Sequence, residues 1–139
     1  MLLDLSSLRK AVLSLERALN FAGGEKAAMF SETERDVIRA GVIQNFEFTY
    51  ELSWKFVRRW LGLNVGKANM EGLTRRELFR YARENRLITD IDSWMAYHDA
   101  RNNTSHSYDS ETAQEIFNVA VDFYKKANEL LTALEARND

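Results

Sequence analysis

Apolar residues recur every three or four positions over most of the chain, which places them along one side of an α-helix. The first such stripe predicts a helix from about residue 4 to 21, ended by Gly23 and Gly24. Its members are Leu5, Leu8, Val12, Leu15 and Leu19.

A much longer helix is predicted from about Ser31 to Leu63, where Ser31 and Glu34 have the spacing of a capping box. Its sequence GVIQNFEFTYELSWKFVRRWL is apolar on more than one side. One row would face the core, and the other is available to a second subunit. The first row is Val42, Phe46, Tyr50, Trp54, Val57 and Leu61. The second row is Phe48, Leu52, Phe56 and Trp60.

Three further helices are predicted over about 74–86, 90–102 and 110–136. Thr74 and Glu77 form another capping-box spacing. The buried side of the last helix is assigned to Ile116, Phe117, Val121, Tyr124, Leu130, Leu131 and Leu134. No strand pattern competes with these assignments, and the chain has no proline. We therefore predict one all-α domain over residues 1–139, an up-and-down antiparallel bundle of four main helices and a short one, which forms homodimers.

The composition narrows the class of protein. A chain of 139 residues with 45% hydrophobic and 29% charged residues fits one globular domain. The absence of cysteine excludes disulfides and thiolate metal sites. No stretch is long and apolar enough to cross a bilayer, so we expect a cytoplasmic protein that does not act at a membrane.

The charge is unevenly distributed, although the net charge is only -2. Residues 55–86 hold nine basic and three acidic side chains, whereas residues 87–139 hold four basic and ten acidic ones. The third helix carries Arg75, Arg76, Arg80, Arg83 and Arg86. This basic section is either an RNA-backbone track or a solvated face beside acidic helices, and composition favours the solvated face.

The stretch RNNTSHSY, residues 101–108, falls between the last two predicted helices. It has two interpretations. In the first it is a polar turn, in which small residues end one helix and Asp109 or Ser110 caps the next. In the second it is an active site, because Arg101 has a planar charge suited to phosphate oxygens and His106 exchanges protons near neutral pH. That pair is sufficient for RNA cleavage without a metal.

Geometry sets a condition on the second interpretation. Arg101 and His106 would point about 140° apart on one continuous helix. They converge only if the helix breaks between them or if two copies meet.

His98, one turn before Arg101 and Asn102, either supports the site or is a surface histidine. Glu51 and Lys55 are spaced for an ion pair that supports the long helix.

The segment RNNTSHSY, with the pattern R-x4-H-x-Y, resembles the signature of the HEPN superfamily. Within it the chain is most similar to the small proteins known as nucleotidyltransferase substrate-binding proteins. The segment FEFTYELSWK, about fifty residues upstream, is similar to that family's long aromatic helix. The resemblance covers nearly the whole chain.

The resemblance implies a function. It implies a metal-independent endoribonuclease toxin without a cofactor, a homodimer that cleaves RNA and does not act on DNA. Arg101 would stabilise the phosphate, Asn102 would orient the site and His106 would be the acid–base residue. A cognate minimal nucleotidyltransferase would neutralise the toxin by attaching AMP to Tyr108. The alternative is a non-catalytic subunit that holds a substrate for that nucleotidyltransferase.

Overall fold

The computed structural model describes residues 2–138, and the segments that it describes form helices and turns without a β-strand. The main helices are α1 (Ser6–Ala22), α2 (Glu32–Leu61), α3 (Arg75–Glu84), α4 (Ile91–Asn102) and α5 (Ser110–Ala136). Short 3-10 turns cover Ala27–Met29 and Thr104–His106. All five predicted helices are therefore confirmed, and most of their ends lie within two residues of the prediction.

Side-chain caps explain where four of the helices begin, and at α4 the Asp90 side chain accepts from the Asp92 amide at 2.9 Å. Ser31 and Glu34 bond reciprocally, since the Glu34 amide donates to Ser31 Oγ at 3.1 Å and the Ser31 amide donates to Glu34 Oε1 at 2.9 Å. Thr74 and Glu77 do the same for α3. Asp109 caps α5 by accepting from the Thr112 amide at 3.0 Å. Both predicted capping boxes are confirmed, and Asp109 rather than Ser110 is the cap of α5.

The connection from α2 to α3 depends on glycine. A π-helical turn over Gly62–Gly66 follows α2, and one α-helical turn over Lys67–Met70 comes next. Gly66 has φ of 129° and Gly72 has φ of 70°, a region that side chains with a Cβ disfavour. These two glycines let the chain reverse and bring Thr74 to the start of α3.

Long-range contacts define an up-and-down arrangement. Near one end of the bundle, the Leu3 amide donates to Asn138 Oδ1 at 2.8 Å, so α1 and α5 run in opposite directions. Thr49 Oγ1 donates to the Ala11 carbonyl at 3.2 Å and joins α1 to α2. Tyr97 Oη donates to Asp122 Oδ2 at 2.5 Å and joins α4 to α5. Helices α1, α2, α4 and α5 therefore form the bundle, and α3 is the short extra helix.

The centre of the core is an aromatic cluster around Phe123 on α5. Its ring lies 5.1 Å from Phe46 on α2, 5.1 Å from Tyr97 and 5.7 Å from Trp94 on α4, measured between ring centroids. All four side chains are buried. Burial of rings this large dominates core energetics, so the cluster fixes α4 against α2 and α5. The C-terminal end of α4, where the motif begins, is held in place by this packing.

Two assignments of apolar faces were wrong. Val121 is 43% exposed, and Phe123 occupies the buried position on that turn of α5. On α2, Phe56 and Trp60 are buried within the chain itself, while Phe48 is 57% exposed. The reason is that three segments cover the end of α2. They are the turn that follows it, helix α3 and the C-terminal residues. No helix within residues 2–138 has the length and apolar character needed to cross a membrane.

Candidate active site

The predicted motif lies at the junction between α4 and α5, and the junction is compact. A single 3-10 turn, Thr104–His106, follows α4. The His106 amide donates to the Asn103 carbonyl at 2.9 Å, and the Asp109 amide donates to the His106 carbonyl at 3.1 Å. The α-helix therefore breaks between Arg101 and His106, which is one of the two conditions under which these side chains can converge.

Arg101 is half-buried and directed toward α2. Its Nε lies 3.1 Å from Glu51 Oε1, and its Nη1 lies 3.9 Å from Glu47 Oε2. The Nε–H does not point at the Glu51 oxygen, and this buried nitrogen has no hydrogen-bond partner within the described residues. The contact is therefore an ion pair without a well-aligned hydrogen bond, and because the side chain stays 33% exposed, its outer N–H groups rather than Nε can donate to a phosphate oxygen.

The acidic partner of Arg101 is itself held in place. Trp54 Nε1, on the same helix, donates to Glu51 Oε2 at 3.1 Å, and the other oxygen, Oε1, contacts Arg101 on α4. The predicted Glu51–Lys55 ion pair is wrong: among the described side chains Glu51 pairs with Arg101, and Lys55 Nζ lies 5.7 Å from the Trp54 ring centroid. The reason is that burial near α4 gives Glu51 a closer cation than its own helix offers.

Thr104 fixes the turn that follows Arg101. Its hydroxyl donates to the Arg101 carbonyl at 2.8 Å and accepts from Arg101 Nη1 at 3.4 Å. It is one of three polar side chains, Thr49, Ser53 and Thr104, that are buried within residues 2–138. Thr104 therefore satisfies a terminal carbonyl of α4 and orients the arginine at the same time.

Asn102 and His98 form the second group at the site. Asn102 Nδ2 lies 3.4 Å from His98 Nε2, and the Tyr50 hydroxyl is hydrogen bonded to His98 Nδ1 at 2.9 Å. Burial, and then the nearby charge of Arg75, lowers the pKa of His98. The neutral ring therefore links buried Tyr50 to exposed Asn102, so His98 supports the motif rather than lying free on the surface.

His106 and Tyr108 are placed differently, because both are exposed. Their ring centroids are 6.2 Å apart in an edge-on arrangement. Tyr108 is 84% exposed and borders a small groove of about 180 Å³, whose lining includes Asp36 and Arg39. Both side chains are therefore accessible to a macromolecule.

Within residues 2–138 no hydrogen bond or salt bridge joins Arg101 to His106. The structure places Arg101 and Asn102 with α2 and His98, and it places His106 and Tyr108 together on the solvent side. The sequence pattern did not reveal Glu47, Tyr50 and Thr104 as partners of the motif. Glu47 and Glu51, one turn apart on an apolar helix, were the available signal. No group of three or more metal-binding side chains occurs in this part of the chain.

The basic third helix is mostly solvated, as composition favoured. Arg80, Arg83 and Arg86 are exposed, and Arg76 Nη1 lies 3.6 Å from Asp92 Oδ1 in an exposed pair. Arg75 is the exception, because it is half-buried and lies over the ring of Trp54.

The chain is similar to known proteins over nearly its whole length. The family model described as "nucleotidyltransferase substrate binding protein like" matches residues 3–136. A Haemophilus influenzae protein named "Probable ribonuclease HepT" is 36% identical over 140 residues, which span 98% of this chain and 94% of that protein.

Two solved structures are similar over almost their whole lengths. One, from Haemophilus influenzae, is described as the fold of a substrate-binding domain of a nucleotidyltransferase; it is 34% identical with a TM-score of 0.90 over 95% of this chain and 99% of that one. The other, from Thermus thermophilus, is 29% identical with a TM-score of 0.71 over 91% of this chain and 98% of that one.

Proposed function

Because this chain belongs to the family of nucleotidyltransferase substrate-binding-like proteins, as its motif predicted, we propose that it is a metal-independent endoribonuclease. The observation that carries the proposal is the motif itself. Arg101, with a guanidinium still able to donate, stands at the end of α4, and an exposed histidine follows one 3-10 turn later. The similar protein named as a probable ribonuclease supports the same activity.

The chemistry needs only these side chains and the RNA. The 2′-oxygen attacks the adjacent phosphorus and the bond from phosphorus to the 5′-oxygen breaks, which leaves a 2′,3′-cyclic phosphate and a 5′-hydroxyl. His106 removes the proton from the 2′-hydroxyl or donates one to the leaving 5′-oxygen. Arg101 stabilises the charge that builds up on the phosphate oxygens. Asn102, held beside His98, orients the site.

A second copy of the chain would complete the site. Helix α2 leaves Val37 66% exposed and Phe48 57% exposed. These residues are eleven positions apart, so they lie on the same side of the helix. In a homodimer formed through this surface, the two motifs would line one cleft, where Arg101 of one copy and His106 of the other can act on the same phosphate.

Regulation would act through Tyr108. Its exposed hydroxyl is accessible to a cognate nucleotidyltransferase, which would transfer AMP to it. The added phosphate brings negative charge and bulk next to His106, where an RNA phosphate must bind. The pair would then behave as a cytoplasmic toxin and its antitoxin.

The alternative function is that of a substrate-binding subunit. The family description and the similar Haemophilus structure, described as a substrate-binding domain, favour it. In this case the same groups would bind a nucleotide or acceptor for a partner nucleotidyltransferase. Arg101 and Asn102 would still be needed, but a proton-transfer role for His106 would not.

A paired expression test separates the two functions. The wild-type chain and His106→Ala are each produced alone in bacteria, and growth and total RNA are followed after induction. We expect growth arrest and RNA decay with the wild type and neither effect with His106→Ala. If both variants are folded and both leave the RNA intact, the ribonuclease proposal fails and the binding subunit replaces it.

The regulatory step has its own test. The wild type and Tyr108→Phe are incubated with the cognate nucleotidyltransferase and ATP, and the mass of each chain is measured. We expect AMP on the wild type only, together with loss of cleavage, while Tyr108→Phe stays unmodified and active. Modification of Tyr108→Phe would show that another residue is the acceptor.

A further inference from the structure

A groove of about 320 Å³ opens beside the C-terminal half of α2. The turn before α3 forms one wall and α4 contributes His98. Among the described residues that line it, the charged or ionisable side chains are Arg58, Arg75 and His98, and none is a carboxylate. The groove is therefore a concave surface with a positive lining, distinct from the junction that holds the motif.

Arg75 is unlike the other arginines of α3. Its Cζ lies 3.4 Å from the centroid of the Trp54 ring, and the side chain is half-buried. Its Nη1 is buried and has no hydrogen-bond partner among residues 2–138. Burial lowers the pKa of Arg75, although a guanidinium stays charged in proteins. A cation that loses water and gains no full ion pair is costly, and the Trp54 ring offsets only part of that cost, so an anion in the groove would stabilise Arg75.

Arg58 adds a second cation to the same groove. It is exposed, and its positive charge repels that of Arg75. Neither arginine forms a salt bridge within the part of the chain that the structure describes. Glu51 attracts Arg75, but its carboxylate lies 3.1 Å from Arg101. Two guanidinium groups that face one cavity without a shared acid favour binding of an anion.

The start of α3 does not explain this arrangement by itself. In the first turn Thr74 Oγ1 already accepts from the Glu77 amide, and the Glu77 carboxylate accepts from the Thr74 amide, which places an acid at this helix end. Anion binding would therefore depend on the arginine side chains and on the stacked indole. Stacking covers the face of a guanidinium but not its edges, and with Nη1 buried Arg75 has the edge formed by Nε and Nη2 left for phosphate oxygens.

We propose that this groove is a phosphate-binding subsite, in which Arg58 and Arg75 hold an RNA backbone phosphate away from the scissile bond; the assignment to RNA rests on the proposed function. His98 lines the groove and also lies 3.4 Å from Asn102, so the groove adjoins the motif through this one side chain. An RNA strand bound along this path would pass from the groove to the junction. The subsite would position the strand without taking part in the chemistry.

The test measures binding without cleavage. A labelled oligonucleotide carrying 2′-O-methyl groups at every position, which cannot undergo 2′-attack, is titrated with the wild type, Arg58→Gln and Arg75→Gln. We expect each substitution to weaken binding about tenfold, as for loss of a charge-assisted phosphate contact. In the double variant the slope of log K against log salt should fall by about 0.7, the value for one phosphate on a single strand.

Arg83→Gln is the matched control. It removes the same charge from the exposed part of α3, away from the groove. We expect a change in affinity of less than about twofold, because an exposed charge contributes only a screened, long-range attraction. Arg58→Gln also controls for folding. It removes a positive charge that repels Arg75, so the melting temperature of this variant should match that of the wild type while its affinity for the oligonucleotide falls.

A second arm identifies the source of the phosphate. Inorganic phosphate and AMP are added separately to the wild type, and the indole N–H signal of Trp54 is followed by NMR. If these anions shift the signal but neither arginine variant alters RNA binding, the groove binds a free phosphate or a mononucleotide and the RNA assignment is wrong. If neither the signal nor RNA binding responds, the subsite is wrong.

The design also keeps this proposal separate from the proposed function. Binding of the uncleavable strand that depends on Arg58 and Arg75 supports the subsite whatever the nuclease assay shows. A wild type that binds this strand but leaves ordinary RNA intact would contradict the ribonuclease proposal alone.

Discussion

The two halves of RNNTSHSY are held in different ways. Arg101 and Thr104 are anchored, because the arginine pairs with Glu51 at 3.1 Å and the threonine bonds to the Arg101 carbonyl at 2.8 Å. His106 and Tyr108 are exposed, and their ring centroids lie 6.2 Å apart. The anchored half depends on how α2 packs against α4, whereas the exposed half can be reached by RNA, by a second copy or by a modifying enzyme.

This difference separates two kinds of requirement. A residue that stabilises phosphate charge must be positioned in advance, since reorganisation during the reaction would reduce its effect. A residue that takes a proton, or one that accepts a nucleotide, must be accessible. The comparison therefore predicts that changes in the anchored half alter both stability and activity, and that changes in the exposed half alter activity alone.

The largest expected effect comes from alanine substitutions at the two ends of the motif. On the proposed function, Arg101→Ala and His106→Ala should each reduce RNA cleavage by about 10²–10⁴-fold. Arg101→Ala should also lower the free energy of unfolding by about 1–2 kcal/mol, because Glu51 loses its ion pair. His106→Ala should leave the urea unfolding curve almost unchanged. Equal destabilisation by both substitutions would contradict the comparison.

The next effect concerns the acid that anchors Arg101. Glu51→Gln keeps the size of the side chain and can still accept from Trp54 Nε1, but it removes the charge that holds the guanidinium. We expect cleavage to fall about tenfold, the loss of roughly 1.4 kcal/mol of positioning. Glu115→Gln, on the exposed side of α5, is the control with the same charge change and should retain full cleavage. Full activity of Glu51→Gln would show that the anchor is dispensable.

A smaller effect is expected from the turn itself. Thr104→Ala removes a buried hydroxyl that bonds to the Arg101 carbonyl, so the free energy of unfolding should fall by about 1 kcal/mol. Ser105→Ala, next to it and exposed, should change that free energy by less than about 0.5 kcal/mol. Thermal unfolding of the two variants side by side measures the difference. A loss of stability in Ser105→Ala as large as that in Thr104→Ala would contradict the division between anchored and exposed residues at this position.

The smallest effect is a dependence of stability on pH through His98. Burial lowers its pKa below the ordinary value of 6.5. Above pH 6.5 the ring is neutral in both folded and unfolded chains. As the pH falls from 6.5 toward the lowered pKa, the unfolded chain binds the proton more readily, so the stability contribution is lost. His98→Gln should remove this part of the pH dependence of the melting temperature between pH 7 and 5. A variant whose melting temperature depends on pH in the same way as that of the wild type would contradict the prediction.

The fold followed closely from local signals. Capping boxes at Ser31 and Thr74, the glycines after α1 and the apolar stripe of α1 placed the helices, because each signal acts within one or two turns of the backbone. The polar junction was placed for the same reason, since Asn102 ends α4 and Asp109 caps α5.

The helices, the family and the residues of the motif therefore followed from the amino-acid pattern alone. The folded chain was needed to see that Glu51 pairs with Arg101 instead of Lys55, that Phe56 and Trp60 are covered within one chain, and that Arg75 lies on Trp54. The two groups of features differ in the range of the interactions that set them. Caps and helix periodicity are set by neighbours along the chain, whereas ion pairs and burial depend on which helices meet, and that is settled by packing of the whole core around Phe123.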